Sequence, residues 1–342
     1  MKTLLYLCVG LTLLSARGSS ARTWYIRPDG TGDAPTIQAA VDSADNGDVL
    51  LLTPGTYTGL GNRGVIVHGK AISILSEQGP EATIVDCQGL DMGFVFQACS
   101  GVGILELSGL TIRNAVGVYG GAVQFNNCRA IVRNNILQYS RADVGGGGLF
   151  WLDSSGLIEN NIIDSNSAGC GGGIAVWSGS TATIRNNILC QNRGLGRGGG
   201  IIFLWGSSGE VTNNTIDENH SGDGAGVRFD GGATPVVRGN IISHNQPGPG
   251  LSCEEGSPPI VSCNDVFGNF GGDALCGNDR GGNFSSDPLF CGEDYFLDSR
   301  SPCAPANNAC SLLVGARPVG CGSVAVEKAT WGNIKGLYGG NK

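Results

Sequence analysis

A repeat of about 26 residues, marked by paired asparagines and clustered glycines, constrains the fold more than any other feature of this sequence. The second asparagine of each pair recurs at intervals of 26, 26, 27, 26 and 24 residues. These residues are Asn135, Asn161, Asn187, Asn214, Asn240 and Asn264. An aliphatic residue follows two positions later, and in most repeats another asparagine comes three positions after it. Such a period indicates a solenoid in which each repeat is one coil.

The glycines share this period. The chain has 59 glycines in 342 residues, too many for a helical bundle, and they lack the Gly-X-Y order of collagen. They cluster before short alternating segments, as Gly171 to Gly173 precede Ile174 and Val176. Glycine and asparagine tolerate the positive φ that corners require. Three short strands per repeat, joined by such corners, predict an all-β parallel β-helix with asparagines hydrogen-bonded between coils.

Both ends of the repeat region are predicted to be caps, because a solenoid must cover its exposed ends. Residues 36–44 have the pattern of an amphipathic helix, which Asp33 or Thr36 can cap and Asn46–Gly47 can end. The repeat dissolves after Asn278. The predicted divisions are the β-helix with its N-terminal cap at 22–282, an irregular cysteine-rich cap at 283–325, and a tail at 326–342. The tail is predicted to be a sorting or docking segment, or else a frayed terminus.

Residues 1–21 have the pattern of a secretory signal peptide, with Lys2 before the apolar run Leu4–Leu14 and small residues at Ser19–Ala21. No later apolar segment is long enough to span a bilayer. Cleavage would leave twelve of the 13 cysteines, and an even number in an exported chain predicts disulfides. The pairs are expected first among Cys291, Cys303, Cys310 and Cys321. We therefore expect an extracellular or cell-surface protein.

The segment from Gly30 to Val41, followed by Gly47–Val49 and Pro54–Tyr57, resembles the entry segment of right-handed parallel β-helix proteins of the pectin-lyase-like superfamily. The repeats resemble the generic β-helix repeats of its secreted bacterial members and, in part, those of chlamydial surface adhesins. The resemblance covers about residues 24–300. It implies a right-handed coil, but it leaves function open because that superfamily includes lyases, hydrolases, esterases and adhesins.

No catalytic residue can be carried over from this resemblance. The downstream motifs of pectin methylesterases and the motif set of polygalacturonases do not occur in the sequence. A lyase of this fold commonly uses a basic residue beside a calcium-held carboxylate. Calcium is therefore the ion that such an activity would imply, although the acidic residues that calcium needs are not grouped opposite the arginines Arg133, Arg185 and Arg238. The sequence identifies no cofactor and assigns no metal ligand.

The first candidate site is an apolar strip on the outward face of the strands that follow the glycine clusters. Its predicted ligand-binding residues are Phe150, Trp177, Ile202, Leu204, Arg228 and Asp230. An exposed patch of this kind marks an interaction site, and its aromatic faces suit sugar rings. The alternative is that the C-terminal segment or a second copy of the chain covers the strip.

The second candidate site lies on two adjacent coils. Glu218 is expected to stack beside His244, with Asp217, His220 and Asp223 near in sequence. A carboxylate beside an imidazole can act as a general acid and base, so the catalytic candidates are Asp217, Glu218 and His244. With the other residues, the pair could instead bind a metal. The alternative is a surface ion pair on a turn.

These observations predict an exported protein that binds an extracellular polysaccharide or a surface glycan. Without Lys2 and Arg17 the basic residues fall from 21 to 19 against 29 acidic ones, a net charge of −10, which excludes nucleic acid as a partner. Two alternatives stay open, a polysaccharide lyase or hydrolase with an unassigned site and an adhesin or structural surface protein. Whether the chain is an enzyme is not decided by the sequence.

Overall fold

The computed structural model describes residues 21–292 and 294–321. Almost all of the predicted signal peptide, the end of the predicted C-terminal cap and the whole predicted tail lie outside the described residues. The described chain is a parallel β-helix, as predicted, in which four sheets run along the solenoid. We number the sheets in the order in which one coil visits them.

Sheets 1 and 2 are the longest of the four. Sheet 1 has eleven strands: Thr23–Ile26, Val49–Leu52, Ser73–Ser76, Leu105–Ser108, Arg129–Arg133, Ser155–Glu159, Thr181–Arg185, Ser208–Thr212, Val236–Arg238, Ile260–Ser262 and Asn278–Asp279. Sheet 2 has nine: Gly55–Tyr57, Thr83–Asp86, Thr111–Arg113, Ile136–Gln138, Ile162–Asp164, Ile188–Cys190, Thr215–Asp217, Ile241–Ser243 and Asp265–Phe267.

Sheets 3 and 4 complete each central coil. Sheet 3 has six strands: Val116–Tyr119, Arg141–Gly145, Ser167–Cys170, Arg193–Arg197, His220–Ser221 and Gln246–Pro247. Sheet 4 has eight: Val65–His68, Phe94–Gln97, Val123–Asn126, Leu149–Leu152, Ile174–Trp177, Ile201–Phe203, Val227–Phe229 and Leu251–Cys253. The central coils thus have four strands rather than the predicted three, because a short irregular strand of sheet 3 lies between the sheet 2 strand and the glycine cluster, as Ser167–Cys170 lies between Asp164 and Gly171.

The side chains at every second position of each strand point inward and build the core, as the alternation predicts. Equivalent strands pair in parallel register, so that Ile158 of sheet 1 lies beside Ile184 of the next coil. In sheet 4 the inward side chains are aromatic in several coils, and the rings of Phe96 and Phe125 stack with centroids 4.7 Å apart. Because equivalent residues form columns, one substitution disturbs the coils on both sides of it.

Two ladders of buried asparagines flank sheet 2. In the first ladder, the backbone N–H and the Nδ2 of Asn161 both donate to Oδ1 of Asn187, at 2.9 Å each. Nδ2 of Asn187 likewise donates to Oδ1 of Asn214 and to the carbonyl oxygen of Ile158. The second ladder joins Asn166, Asn192, Asn219, Asn245 and Asn269 in the same way. The predicted hydrogen bonding between corner asparagines is therefore confirmed, and it satisfies corner backbone groups that are out of reach of water.

The glycine clusters form the corner between sheets 3 and 4. Gly171 has φ of 62°, a conformation that glycine adopts without steric cost. A Cβ atom on Gly172 would collide with the backbone of Arg193 in the next coil. The cluster therefore serves two purposes, since one glycine turns the chain and the next lets two coils approach.

The N-terminal cap is the helix Ile37–Ser43, close to its predicted bounds. Oγ1 of Thr36 accepts a hydrogen bond from the N–H of Ala39, which makes Thr36 the N-cap. Ile37 and Val41 are buried against the first coil. In the described part of the chain no helix is long and apolar enough to cross a membrane.

The C-terminal cap packs on the last coils rather than extending the solenoid. Its strands Phe290–Cys291, Phe296–Asp298 and Val319–Cys321 form a small separate sheet, and the 3₁₀ helix Pro305–Asn307 lies between them in sequence. The disulfides are Cys253–Cys276, Cys263–Cys310 and Cys291–Cys321. Disulfide bonding is confirmed for three of the four predicted cysteines.

Cys303 is the exception to that prediction. Its thiol is buried and free, and Sγ donates a hydrogen bond to Oδ2 of Asp265, 3.1 Å away. Burial raises the pKa of the Asp265 carboxyl to about 6. Cys303 therefore joins the cap to the β-helix by a polar contact rather than by a covalent bond.

Replacing a central ladder residue should destabilise the whole solenoid. Asn187→Ala would leave the N–H of Asn161 and the carbonyl of Ile158 buried without these partners, at a cost of about 3 kcal/mol in the free energy of unfolding. Asn186→Gly is the matched control. It removes the half-buried side chain of the residue before Asn187 and preserves the φ of 55° at that corner. Urea unfolding measures both variants, and equal losses would contradict the role of the ladder.

Candidate functional site

A groove of about 630 Å³ lies between the outer face of sheet 2 and the C-terminal cap. Sheet 2 and its following corner contribute the side chains of one wall, and the cap contributes Phe290, Tyr295 and Arg317 to the other. The polar residues of the sheet wall are Asp164, Cys190, Gln191, Asp217, Glu218 and His244. All three catalytic candidates of the sequence analysis therefore line one groove.

Asp217 is the most constrained carboxylate of the groove. It ends the strand Thr215–Asp217 and is only 5% exposed. Its Oδ1 accepts a hydrogen bond from Oγ of Ser243 at 2.6 Å and lies 2.9 Å from Nδ1 of His244. Both partners come from the next coil, so the stacking of coils sets this geometry.

His244 lies at the corner after sheet 2, where its φ is 51°. The hydrogen bond with Asp217 raises the pKa of the imidazole, with smaller contributions from the charges of Asp217, Asp287 and Glu218, while burial opposes the rise. The ring edge contacts Phe267, with centroids 5.9 Å apart. The His244 side chain is 45% exposed and lines the groove. It therefore combines a fixed orientation with access to a ligand.

Glu218 occupies the same corner position one coil earlier, with φ of 53°. Sequence reasoning expected Glu218 itself to be the partner of His244. The structure differs, because Asp217 forms that pair while Oε2 of Glu218 accepts a hydrogen bond from Nε2 of Gln191, 3.3 Å away in the preceding coil. The exposed Glu218 carboxylate thus stays available at the groove surface.

His220 and Asp223 do not line this groove. His220 begins a strand of sheet 3 and is in register with Arg193. Asp223 forms an ion pair with Arg228, 2.8 Å away. Across residues 21–292 and 294–321, no group of three or more His, Cys, Asp and Glu side chains could hold a metal ion. The predicted metal alternative for this cluster therefore gains no support from the described residues.

Tyr295 closes the groove from the cap side. Burial is the largest cause of a raised pKa for its hydroxyl, and the negative charges of Asp217 and Glu218 act in the same direction. Its ring also contacts the edge of Phe290, with centroids 5.0 Å apart. The phenol is therefore neutral and placed beside the Asp217–His244 pair.

Sequence reasoning does not identify the other residues that line the groove, among them Asp164, Cys190, Tyr295 and Arg317. The first two could have been found, because Cys190 pairs in register with both Asp164 and Asp217 and so belongs to the same column. Tyr295 and Arg317 lie outside the repeat. No periodic signal places their side chains opposite sheet 2.

The apolar strip predicted on the outer face of sheet 4 is not open to solvent. Phe150, Trp177, Ile202 and Leu204 are between 0% and 7% exposed and form a small second core. The expectation of an open sugar platform is therefore wrong. Gly145 of sheet 3 lies so close that a Cβ atom there would be 3.1 Å from the rings of Phe150 and Trp177.

Two exposed aromatic residues, Tyr119 and Trp205, lie at the ends of this second core. Tyr119 contacts Phe150 with ring centroids 5.0 Å apart, and Trp205 contacts Trp177 at 4.9 Å. Trp205 is 57% exposed. Truncation of Trp177 would open a cavity rather than remove a surface contact, so Trp177 is a poor probe of ligand binding.

Arg228 and Asp230 form a buried charge network beside the second core. Asp230 is 2% exposed, and its carboxylate lies 2.8 Å from Nη1 of Arg197 and 2.5 Å from Nε of Arg228. Arg228 also contacts Asp223 and Oγ of Ser252. Each of these charges already has a partner within the chain. A ligand-binding role for Arg228 and Asp230 stays a prediction.

The comparisons with known proteins agree with this architecture. Residues 120–286 match the family model described as a right handed beta helix region. The match covers just under half of the chain and agrees with the parallel coils of the structure, so the described fold is the right-handed parallel β-helix that the pectin-lyase-like resemblance implies. No curated protein matches the sequence.

Two solved structures show a partial likeness to this chain. Pectate lyase Pel9A is 13% identical, with a TM-score of 0.49 over 89% of this chain and 98% of the lyase. The catalytic unit of the thermostable GH87 α-1,3-glucanase from Streptomyces thermodiastaticus strain HF3-3 is 14% identical, with a TM-score of 0.27 over 73% of this chain and 67% of the glucanase. Both TM-scores are below 0.5 and both identities are below 25%, so neither likeness bears on the activity of this chain.

The raised pKa of His244 should depend chiefly on Asp217. The pair stabilises the folded chain below about pH 6.5, and this contribution is lost as the pH rises through the higher pKa of the folded state. In Asp217→Asn, an NMR titration of the imidazole should give a lower pKa than in the unaltered chain. Glu218→Gln is the control and should lower the pKa less, since its charge is a smaller cause. Equal shifts in the two variants would contradict this assignment.

Proposed function

We propose that this chain is an exported β-helix protein that binds an extracellular or cell-surface polysaccharide in the groove between sheet 2 and the cap. The observation that carries the proposal is the groove itself, in which Tyr295 on the cap and a row of hydrogen-bonding side chains on stacked coils line the same space. Sugars are recognised by an aromatic surface together with placed polar groups. Gln191, Glu218 and His244 supply such groups at successive coils.

The direction of the groove favours a polymer over a small ligand. Its polar residues belong to columns that run along the solenoid, about 4.8 Å apart from coil to coil. A chain of sugar units laid along sheet 2 would meet equivalent positions in turn. Export is supported by the three disulfides, because such bonds persist in oxidising compartments.

Retention on immobilised polysaccharides tests this proposal. The chain should be retained on at least one member of a polysaccharide panel, and Tyr295→Ala should weaken that binding at least tenfold because the aromatic wall is lost. Tyr25→Ala is the matched control, since Tyr25 is an exposed tyrosine on sheet 1, away from the groove. Circular dichroism checks that both variants are folded. If no glycan retains the unaltered chain, the adhesin or structural alternative replaces this proposal.

Hydrolysis is the second candidate function, favoured by the Asp217–His244 hydrogen bond beside Glu218. In this hypothesis Asp217 orients His244, protonated His244 donates a proton to the glycosidic oxygen, and Glu218 activates a water molecule. A lysine-based lyase is less favoured. The described residues contain one lysine, Lys70. Its Nζ donates to the carbonyl oxygens of Val41 and Asp42 in the N-terminal cap.

Product analysis distinguishes these reactions. A hydrolase should release reducing ends without the absorbance of unsaturated uronates, and Glu218→Gln should slow the release by about 100-fold, as expected for loss of a general base. Glu210→Gln, an exposed change on sheet 1, should leave the rate unaltered. Unsaturated products would identify a lyase instead, and no product with retained binding would limit the chain to glycan binding.

A further inference from the structure

The charges of the groove narrow the class of polysaccharide that it can take. Four carboxylates line the groove, from Asp164, Asp217, Glu218 and Asp294, while Arg317 supplies the guanidinium of the described lining. We propose that the groove binds a polymer of amino sugars, whose ammonium groups face these carboxylates. This inference rests on the proposed function, since it concerns the ligand of the same groove.

Three of the four carboxylates are not committed to a cation of the described chain. Asp164 accepts hydrogen bonds from Oγ of Ser165 at 3.0 Å and from Sγ of Cys190 at 3.4 Å, both neutral groups. Glu218 accepts a bond from the amide of Gln191, which is also neutral. Asp294 has no ion pair with another described residue. A ligand ammonium group would give these carboxylates a charged partner.

The position of Arg317 limits how far its guanidinium can neutralise the carboxylates of the groove. Arg317 lies on the cap side, with Cζ 5.7 Å from the centroid of the Phe296 ring. Asp164 and Glu218 lie on the opposite wall, on sheet 2 and its corner. The sheet wall therefore presents negative charge to a ligand.

The column arrangement repeats this charge along the solenoid. Asp164 and Asp217 are both in register with Cys190 and so lie two coils apart, which is about 10 Å at the usual strand spacing. Glu218 follows at the adjoining corner. A polymer with a cation on each unit can contact more than one carboxylate at once, whereas a polyuronate would meet like charges at each position.

The net charge of the whole chain acts in the same direction. It is −8 for the full sequence, so long-range attraction also favours a cationic polymer and slows the approach of a polyanion. Such steering weakens as salt screens the charges. The salt dependence of binding is therefore a second readout that a purely steric preference would not change.

Calorimetric titration of the purified chain tests the inference with three matched probes. These are hexamers of glucosamine, N-acetylglucosamine and galacturonate, at a pH at which the glucosamine amino groups are protonated. The glucosamine hexamer should bind at least tenfold more tightly than its acetylated, neutral counterpart. Raising the salt concentration from 50 to 300 mM, values chosen to shorten the Debye length, should reduce that ratio.

Variants separate the groove charges from the charge of the whole chain. The double variant Asp164→Asn with Glu218→Gln should abolish the preference for glucosamine while binding of the acetylated hexamer persists. Glu210→Gln is the control, because it removes an exposed carboxylate on sheet 1 and should retain the preference. Circular dichroism confirms that each variant is folded.

The outcomes distinguish this inference from the function on which it rests. Equal binding of the two amino-sugar hexamers would overturn the inference, as would tighter binding of galacturonate with or without added calcium. Either result would leave the proposed glycan binding intact. If all three hexamers and the wider polysaccharide panel fail to bind, the proposed function itself is overturned.

Discussion

Hydrogen bonding between buried asparagines of successive coils is the constraint on which the rest of this structure depends. A solenoid has many corners, and each corner leaves backbone groups that no strand can satisfy. The ladders at both edges of sheet 2 satisfy these groups from the coil above and the coil below. They thereby fix the register of sheet 2, and the columns that form the groove wall follow from that register.

The sequence predicts the parts of this fold that repeat. The intervals between Asn135 and its successors indicate the coils, the ladder and the inward alternation, and all three are found in the structure. The irregular strands of sheet 3 escape prediction because their residues, such as those of Arg193–Arg197, follow no strict alternation. Period-two patterning identifies which side chains point outward, but it does not show what covers them. For that reason the pattern predicts an open face at the Phe150–Trp177 strip, whereas the structure buries it.

In the candidate site, too, the residues that belong to the repeat could be predicted and those that lie outside it could not. Glu218 and His244 could be predicted because they occupy the same corner position in neighbouring coils, and Asp217 directly precedes Glu218 at the end of its strand. The partner of His244 could not, since the choice between Asp217 and Glu218 depends on side-chain direction at a corner with positive φ. The wall that carries Tyr295 belongs to a separate small sheet held by Cys291–Cys321, and the residues of that sheet lie outside the repeat.

The groove therefore has one wall that repeats and one that occurs once. A whole coil inserted or deleted in the middle of the solenoid would preserve both ladders, because each coil contributes one residue to every column. Such a change would not alter the neighbours of Tyr295 if it fell far from the cap. It would instead lengthen or shorten the open stretch of sheet 2 that leads to the groove. Coil number and ligand chemistry can thus vary independently, so that a chain of this design could track polymers of different length while its cap retains the same preference.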